Sequence, residues 1–127
     1  MTESQRWLLD RLRLALAHAG GTHELMADVV PMLEDGRAQW WQHGQGVAVT
    51  EIRDHPQLRE VNVWLTAGHL PDCLALQQPI EAWARKHGVA RIVGTGRDGW
   101  GRVCERRMGF KRAGVLVEKW LGGHPNE

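Results

Sequence analysis

The most chemically specific wording in the chain is Gly94-Thr95-Gly96-Arg97-Asp98-Gly99. It satisfies GxGxxG, a pattern in which glycines let backbone N–H groups approach a pyrophosphate at a helix N-terminus. The hexad follows a predicted strand and opens a predicted helix. A dinucleotide site also needs that loop in the first βα turn, with an acidic residue closing the next strand and further parallel strands beyond it. Only 28 residues follow Gly99, and Glu118 stands near the end of the last predicted strand. The hexad therefore reads as a flexible strand-to-helix turn. Cys73 and Cys104 have no CxxC spacing, and the seven histidines take no HExxH or HxH arrangement. Free buried thiols and no metal are expected. Between residues 91 and 112, seven cations face only Asp98 and Glu105, while the whole chain carries a net charge of +1. That balance argues against a dedicated nucleic-acid binder, and the cluster reads first as a solvated helix face.

Positioning these residues requires elements that the hydrophobic periodicity supplies. Over residues 4–19, Leu8, Leu12, Ala15, Leu16 and Ala19 recur at three- and four-residue spacing. They predict a helix with one buried stripe, Thr2 or Ser4 as its N-cap and Gly20-Gly21 as its stop. Thr22 is placed to cap a second helix through residue 36, with Leu25, Val29, Met32 and Leu33 on one face. Pro31 must kink or divide it. From Arg37 the period becomes two. AQWWQH and GVAVTEI read as strands joined by a tight turn over residues 43–46, with Trp40 and Trp41 on opposite faces. EVNVWLTAG reads as a third strand, with Val61, Val63 and Leu65 on one face and Asn62, Trp64 and Thr66 on the other. Residues 72–87 return to helical spacing with Asp72 as N-cap, and VARIVG follows as a strand. Residues 60–94 thus form a right-handed βαβ unit. GWGRVCERRMG predicts a last helix stopped by Gly109, and AGVLVEKWL a final strand. The predicted fold class is α/β, in the order α-α-β-β-β-α-β-α-β: two N-terminal helices, then a mixed, mostly antiparallel sheet with one crossover.

At 127 residues, 43% hydrophobic and 24% charged, the chain fits one domain. The sequence places it over residues 1–121, with a loose tail over 122–127. No apolar run approaches the ~18 residues of a membrane span. Asp10, Arg11 and Arg13 interrupt the N-terminal apolar stretch where a secretory signal would be unbroken. Seven tryptophans accompany one phenylalanine and no tyrosine. Most are expected in or beside the core, and an exposed one would suit a protein-binding anchor.

The run IEAWARKHGVARIVGTGRDGWGRVCERRMGFKRAGVLVEKWL resembles the C-terminal half of the GNAT acyltransferase superfamily. Shared features are a helix ending in a WAR-x-x-G phrase, a strand, a second helix closed by Met108-Gly109-Phe110, and a last strand. More narrowly, DVVPMLEDGRAQWW, VWLTAGHL and GRDGW resemble small GNAT-like proteins encoded by bacteriophages. The resemblance implies a site for acetyl-CoA or another acyl-CoA where two parallel strands part. Trp64, Leu65, Thr66, Ala67 and Gly68 are then the cofactor-binding residues, with the thioester carbonyl on backbone near Trp64 to Thr66. It also implies a general base on or beside the central strands, for which Glu51, His55 and Glu60 are the candidates.

The chain departs from the superfamily's wording in two places. The interval Leu65-Thr66-Ala67-Gly68-His69-Leu70-Pro71-Asp72 has one glycine and no arginine or glutamine where a pyrophosphate loop is expected, and Asp72 would repel a phosphate. The tyrosine that serves as acid in many such enzymes is replaced by Glu105, beside Arg102 and Arg106. Two functions stay open. One is an acyl-CoA-dependent N-acyltransferase acting on an amine of a protein or small molecule, working in the host cytoplasm. The other is a non-catalytic phage component, a virion protein or binding module whose partners are phage structural proteins. The oligomeric state is open as well.

Overall fold

The computed structural model describes residues 2–122. Met1 and all of the expected tail over 122–127 except Gly122 lie outside the described residues. Helix α1 spans Glu3–His18. Thr2 caps it through a reciprocal box: Gln5 N–H donates to the Thr2 hydroxyl, and Thr2 N–H donates to the Gln5 side chain. Its buried stripe is Leu8, Leu12 and Leu16. The second predicted helix is divided. A π-helical turn, Leu25–Val29, leads into α2, Val30–Glu34, with Pro31 in its first turn. Pro31 has no N–H for the Ala27 carbonyl and its ring crowds it, so the preceding turn widens. Thr22 is not the cap: its hydroxyl bonds the His23 ring, and the Glu24 carboxylate accepts from Met26 and Ala27 N–H instead.

Four strands follow: β1 Gln39–His43, β2 Gly46–Asp54, β3 Arg59–Gly68 and β4 Arg91–Gly94. They lie in the order β1-β2-β3-β4. The first three form an antiparallel meander, and β4 runs parallel to β3 after the crossover. That crossover contains α3, Leu70–Leu74, and α4, Gln77–Lys86. The predicted single helix over 72–87 is thus two helices, because Pro79 offers no N–H to the Ala75 carbonyl. Helix α5, Asp98–Arg107, ends where Gly109 takes φ 76° and Phe110 N–H turns back to the Cys104 carbonyl.

The sheet has a core on each face. On one, Val47, Val49 and Leu65 pack with Leu8, Leu12, Leu16, Leu25 and Val29. On the other, Ala48, Leu76 and Ile80 pack with Trp41, Val63 and Ile92. Each well-buried Leu or Val contributes roughly 1.5–3 kcal/mol by leaving water. Val63 and Leu65 therefore lie on opposite faces, contrary to the strict alternation predicted for β3. A β-bulge is the reason. Val49 pairs with Leu65 and Thr50 with Val63, so Trp64 is an extra residue without a partner on β2, and the alternation slips by one. Trp40 and Trp41 do part as expected: Trp41 meets Trp83 edge-on at 5.3 Å, while Trp40 is 40% exposed.

The expected final strand does not form. Residues 109–120 carry no regular secondary structure, and among the described residues β4 pairs only with β3. A strand needs a neighbour to complete its ladder, and among the described residues this segment forms no ladder.

Candidate functional site

The face of β2 covered by α1 reads Val47, Val49, Glu51, Arg53 at alternate positions. It turns from apolar to charged where α1 stops at His18. Beyond that end opens a cleft of about 550 Å³. Its floor is Glu51 and Arg53 of β2 and Asn62, Val63 and Trp64 of β3. The α1 terminus and the loop to His23 form one wall, while Thr95, Leu116 and Glu118 form the other.

Two irregularities of the sheet coincide at this cleft. The β3–β4 ladder ends at Val63 and Gly94, whereas β3 continues through Gly68. The Trp64 bulge lies one residue beyond that last pair. From Trp64 to Gly68, alternate backbone groups therefore face the β4 side, where among the described residues no ladder satisfies them, and Trp64 stands at the opening itself. The Trp64 indole lines the cleft and meets the His23 ring edge-on at 4.8 Å.

Glu51 is the carboxylate in the floor of the cleft, and Glu118 is a second one in its wall. Asn62 Nδ2 donates to Glu51 Oε1 at 2.9 Å, and Arg53 donates to the same oxygen through Nε at 3.2 Å and a terminal nitrogen at 2.9 Å. Asn62 is itself buried. With three donors gathered on Oε1, the side chain is fixed and Oε2 is left for whatever enters the cleft.

Glu60 and His55 are placed differently. Glu60 is 4% exposed. One oxygen pairs with His55 Nε2 at 2.7 Å, and the other accepts from Arg91 Nε at 2.7 Å. The His55 bond first, then the Arg91 bond, hold the Glu60 carboxyl below its ordinary value against the opposing effect of burial. This triad ties the hairpin between β2 and β3 to the start of β4. Glu60 lies four residues before Trp64, roughly 13 Å along the strand. Of the three base candidates, only Glu51 lines the cleft.

The interval expected to cradle a pyrophosphate is packed with protein. The His69 N–H donates to the Gln45 carbonyl, and Gln45 N–H donates to Asp72 Oδ2 at 2.9 Å. The turn between β1 and β2 thereby docks on α3, and Ser4 of α1 holds the Gln45 side chain at 2.7 Å. Asp72 is not the helix cap: His69 occupies that position, and the carboxylate serves the turn. Pro71 removes another N–H from the first turn. What remains around α3 is a short helix, a carboxylate and a committed donor.

Glu105 is engaged by Arg112, whose Nε donates at 2.7 Å, and not by Arg102 or Arg106. Cys73 and Cys104 are free, and burial pushes both thiols up. Among the described residues, no group of three or more His, Cys, Asp or Glu could hold a metal ion, and no helix is long and apolar enough to cross a membrane.

Sequence reasoning missed Asn62, Arg53, His23, Leu116 and Glu118. For Asn62 a signal was present: counting outward from the Asp54-to-Arg59 turn pairs Glu51 with Asn62, as the register shows. The other contacts depend on where α1 and the C-terminal segment travel.

No family model and no curated protein matches the chain. Solved structures do. TTHA1254 of Thermus thermophilus superposes with a TM-score of 0.59 at 15% identity, covering 97% of this chain and 95% of its own. A single-substitution variant of that protein gives 0.63 at 17%, covering 97% and 96%. An acetyltransferase of Trypanosoma brucei gives 0.60 at 13%, covering 88% and 94%. The chain has a GNAT-like α/β fold.

Proposed function

We propose that this chain is an acyl-CoA-dependent N-acyltransferase that grips its donor by the acyl end. The parting of β3 from β4 at the Trp64 bulge, opening onto a cleft with Glu51 in its floor, carries the reading. An acyl-CoA supplies an activated thioester carbonyl whose thiolate can depart and take its proton from solvent, as it must in a chain with no tyrosine. The open edge between Trp64 and Thr66 offers a backbone N–H to a carbonyl oxygen as negative charge gathers on it. Glu51 Oε2 takes the proton released by an attacking amine, while Asn62 and Arg53 hold Oε1 in place. Ala67 and Gly68 continue the edge along which a pantetheine arm would lie. The surroundings of α3 do not fit a pyrophosphate, so the diphosphate end adds little to affinity.

Calorimetric titration tests this with acetyl-CoA and with S-acetyl-pantetheine. The two are expected to bind within about tenfold of each other, since one ordinary charged contact is worth about 1.5–3 kcal/mol and the chain lacks a full phosphate clamp. Transfer to an amine panel should fall about 10²-fold or more in Glu51→Gln. It should persist in His55→Gln. Absence of heat and of thermal shift with either ligand at millimolar concentration overturns the reading.

That outcome would favour the second reading, a non-catalytic binding or virion protein. The turn docked in the phosphate loop is the observation on its side. Either reading is proposed for a phage-encoded protein, on the resemblance of its DVVPMLEDGRAQWW and GRDGW phrases, and mass spectrometry of purified particles against host cytoplasm distinguishes the two locations.

A further inference from the structure

We propose that the acceptor in the cleft is a free basic amino acid, a molecule with an α-amine, a carboxylate and a second ammonium on its side chain. The binding follows from the cleft alone, while the acylation step rests on the acyltransferase reading. Apart from the imidazoles of His18 and His23, the ionisable groups around the cleft are Glu51 and Arg53 in the floor and Glu118 in the wall. Two carboxylates and one guanidinium complement two ammonium groups and one carboxylate. A plain amine would leave Arg53 and one of the carboxylates unanswered.

Arg53 is the group that asks for a carboxylate. Its Nε and one terminal nitrogen both donate to Glu51 Oε1, at 3.2 and 2.9 Å. A guanidinium carries five N–H groups in a planar fork, so the end formed by its two terminal nitrogens still has an N–H on each. Among the described residues nothing else accepts from them, and the side chain is 48% exposed. That end fits a carboxylate bidentately. Glu51 Oε2 stands beside it, because residues 51 and 53 share one face of β2. An α-amino acid has its amine and carboxylate on one carbon, so it spans two such neighbours. The α-ammonium sheds one proton through Oε2 to solvent, and the free amine attacks the thioester carbon. A C–N bond forms, the C–S bond breaks, Oε2 takes the second amine proton, and the departing thiolate is protonated from solvent.

Glu118 supplies the third point. Its carboxylate lines the cleft with no hydrogen bond or ion pair among the described residues. The facing wall is the end of α1, where the negative pole of a 16-residue helix adds to the preference for cations. Val63, Trp64 and Leu116 give the methylenes of the side chain an apolar surface between these charges.

Calorimetry with L-lysine, L-norleucine and cadaverine, each with and without free CoA, reads the contacts one at a time. Norleucine lacks the side-chain ammonium, and cadaverine lacks the carboxylate. L-lysine is expected to bind about tenfold or more tightly than either, the worth of one charged hydrogen bond. In Arg53→Gln the preference over cadaverine should vanish, whereas a merely structural role for Arg53 would weaken both ligands equally. In Glu118→Gln the preference over norleucine should vanish, with norleucine itself bound as before. With acetyl-CoA the product should be the α-amide, identified by fragmentation in mass spectrometry. Equal affinity for the three ligands, or none for any, overturns the proposal, as do preferences that survive both substitutions or an amide at the side-chain nitrogen. Acetyl transfer to other amines in those cases leaves the acyltransferase reading standing. If acetyl-CoA neither binds nor transfers while lysine keeps its preference, the acyltransferase reading falls and the cleft remains an amino-acid site.

Discussion

Replacing Gly68 by alanine probes whether the turn between β1 and β2 is seated on the end of β3 just before α3, the feature that weakens the phosphate site. Gly68 sits at φ 113°, a conformation L-residues rarely adopt, and a methyl group there would overlap the Gln45 carbonyl oxygen. The strain costs about 1–3 kcal/mol. Displacing backbone in a packed region costs a further 1–3 kcal/mol or so. Together they give roughly 4 kcal/mol, and at about 3–5 °C per kcal/mol for a domain of this size the midpoint falls by about 12–20 °C. Gly109→Ala is the control. It shares the positive φ, at 76°, but nothing lies within 4 Å, so it should lose only the conformational cost of about 1–2 kcal/mol. Thermal unfolding by circular dichroism measures both. If the two variants melt together, the turn is not seated on the β3 terminus, and the argument against a pyrophosphate clamp fails with it.

Other outcomes follow from the core and the buried triad. Glu60→Gln should cost about 1–3 kcal/mol at neutral pH, because the 4%-exposed carboxylate accepts from both His55 and Arg91. The Glu60 carboxyl is held below its ordinary 4.5 when folded, so its stabilisation is complete above that pH and lost as pH falls through the folded value. Urea midpoints of wild type and variant should therefore converge on acidification, and a gap that stays constant or widens contradicts the assignment. Leu12→Ala removes a fully buried side chain at the centre of the α1 face and should lower stability by about 2–5 kcal/mol in urea unfolding. A smaller loss would mean that α1 is not the principal cover of that face.

Much of the architecture was legible one residue at a time. The Leu8, Leu12, Leu16 stripe, the two-residue turn at Gly44-Gln45 and the alternation of Val47 and Val49 with Ala48 are set by local spacing, and the structure keeps them. The crossover between parallel strands follows from a helix lying between them. Breaks inside the helical stretches also have local causes, since Pro31 and Pro79 each withhold an N–H. Their detailed form was harder to read. Thr22 and Asp72 both looked like caps, but Glu24 and His69 took those positions once the neighbouring turns had settled.

The site divided along the same line. Residue types alone put Glu51, His55 and Glu60 on equal footing, because each is a titratable group beside a central strand. Arg91 distinguished Glu60 from Glu51, and it comes from a strand 31 positions away. Likewise no local signal marks the bulge at Trp64, which arises from fitting β3 to β2 on one side and β4 on the other. Sequence by itself determined the first helix, the three-strand meander with its crossover, and the missing tyrosine, because these depend on near neighbours and composition. Only the tertiary structure decided which of the three candidate bases lines the cleft, where β3 parts from β4, and that a turn 24 residues upstream of His69 uses its N–H. Those are matters of which distant groups meet, and a hydrogen bond once made removes its donor from any ligand.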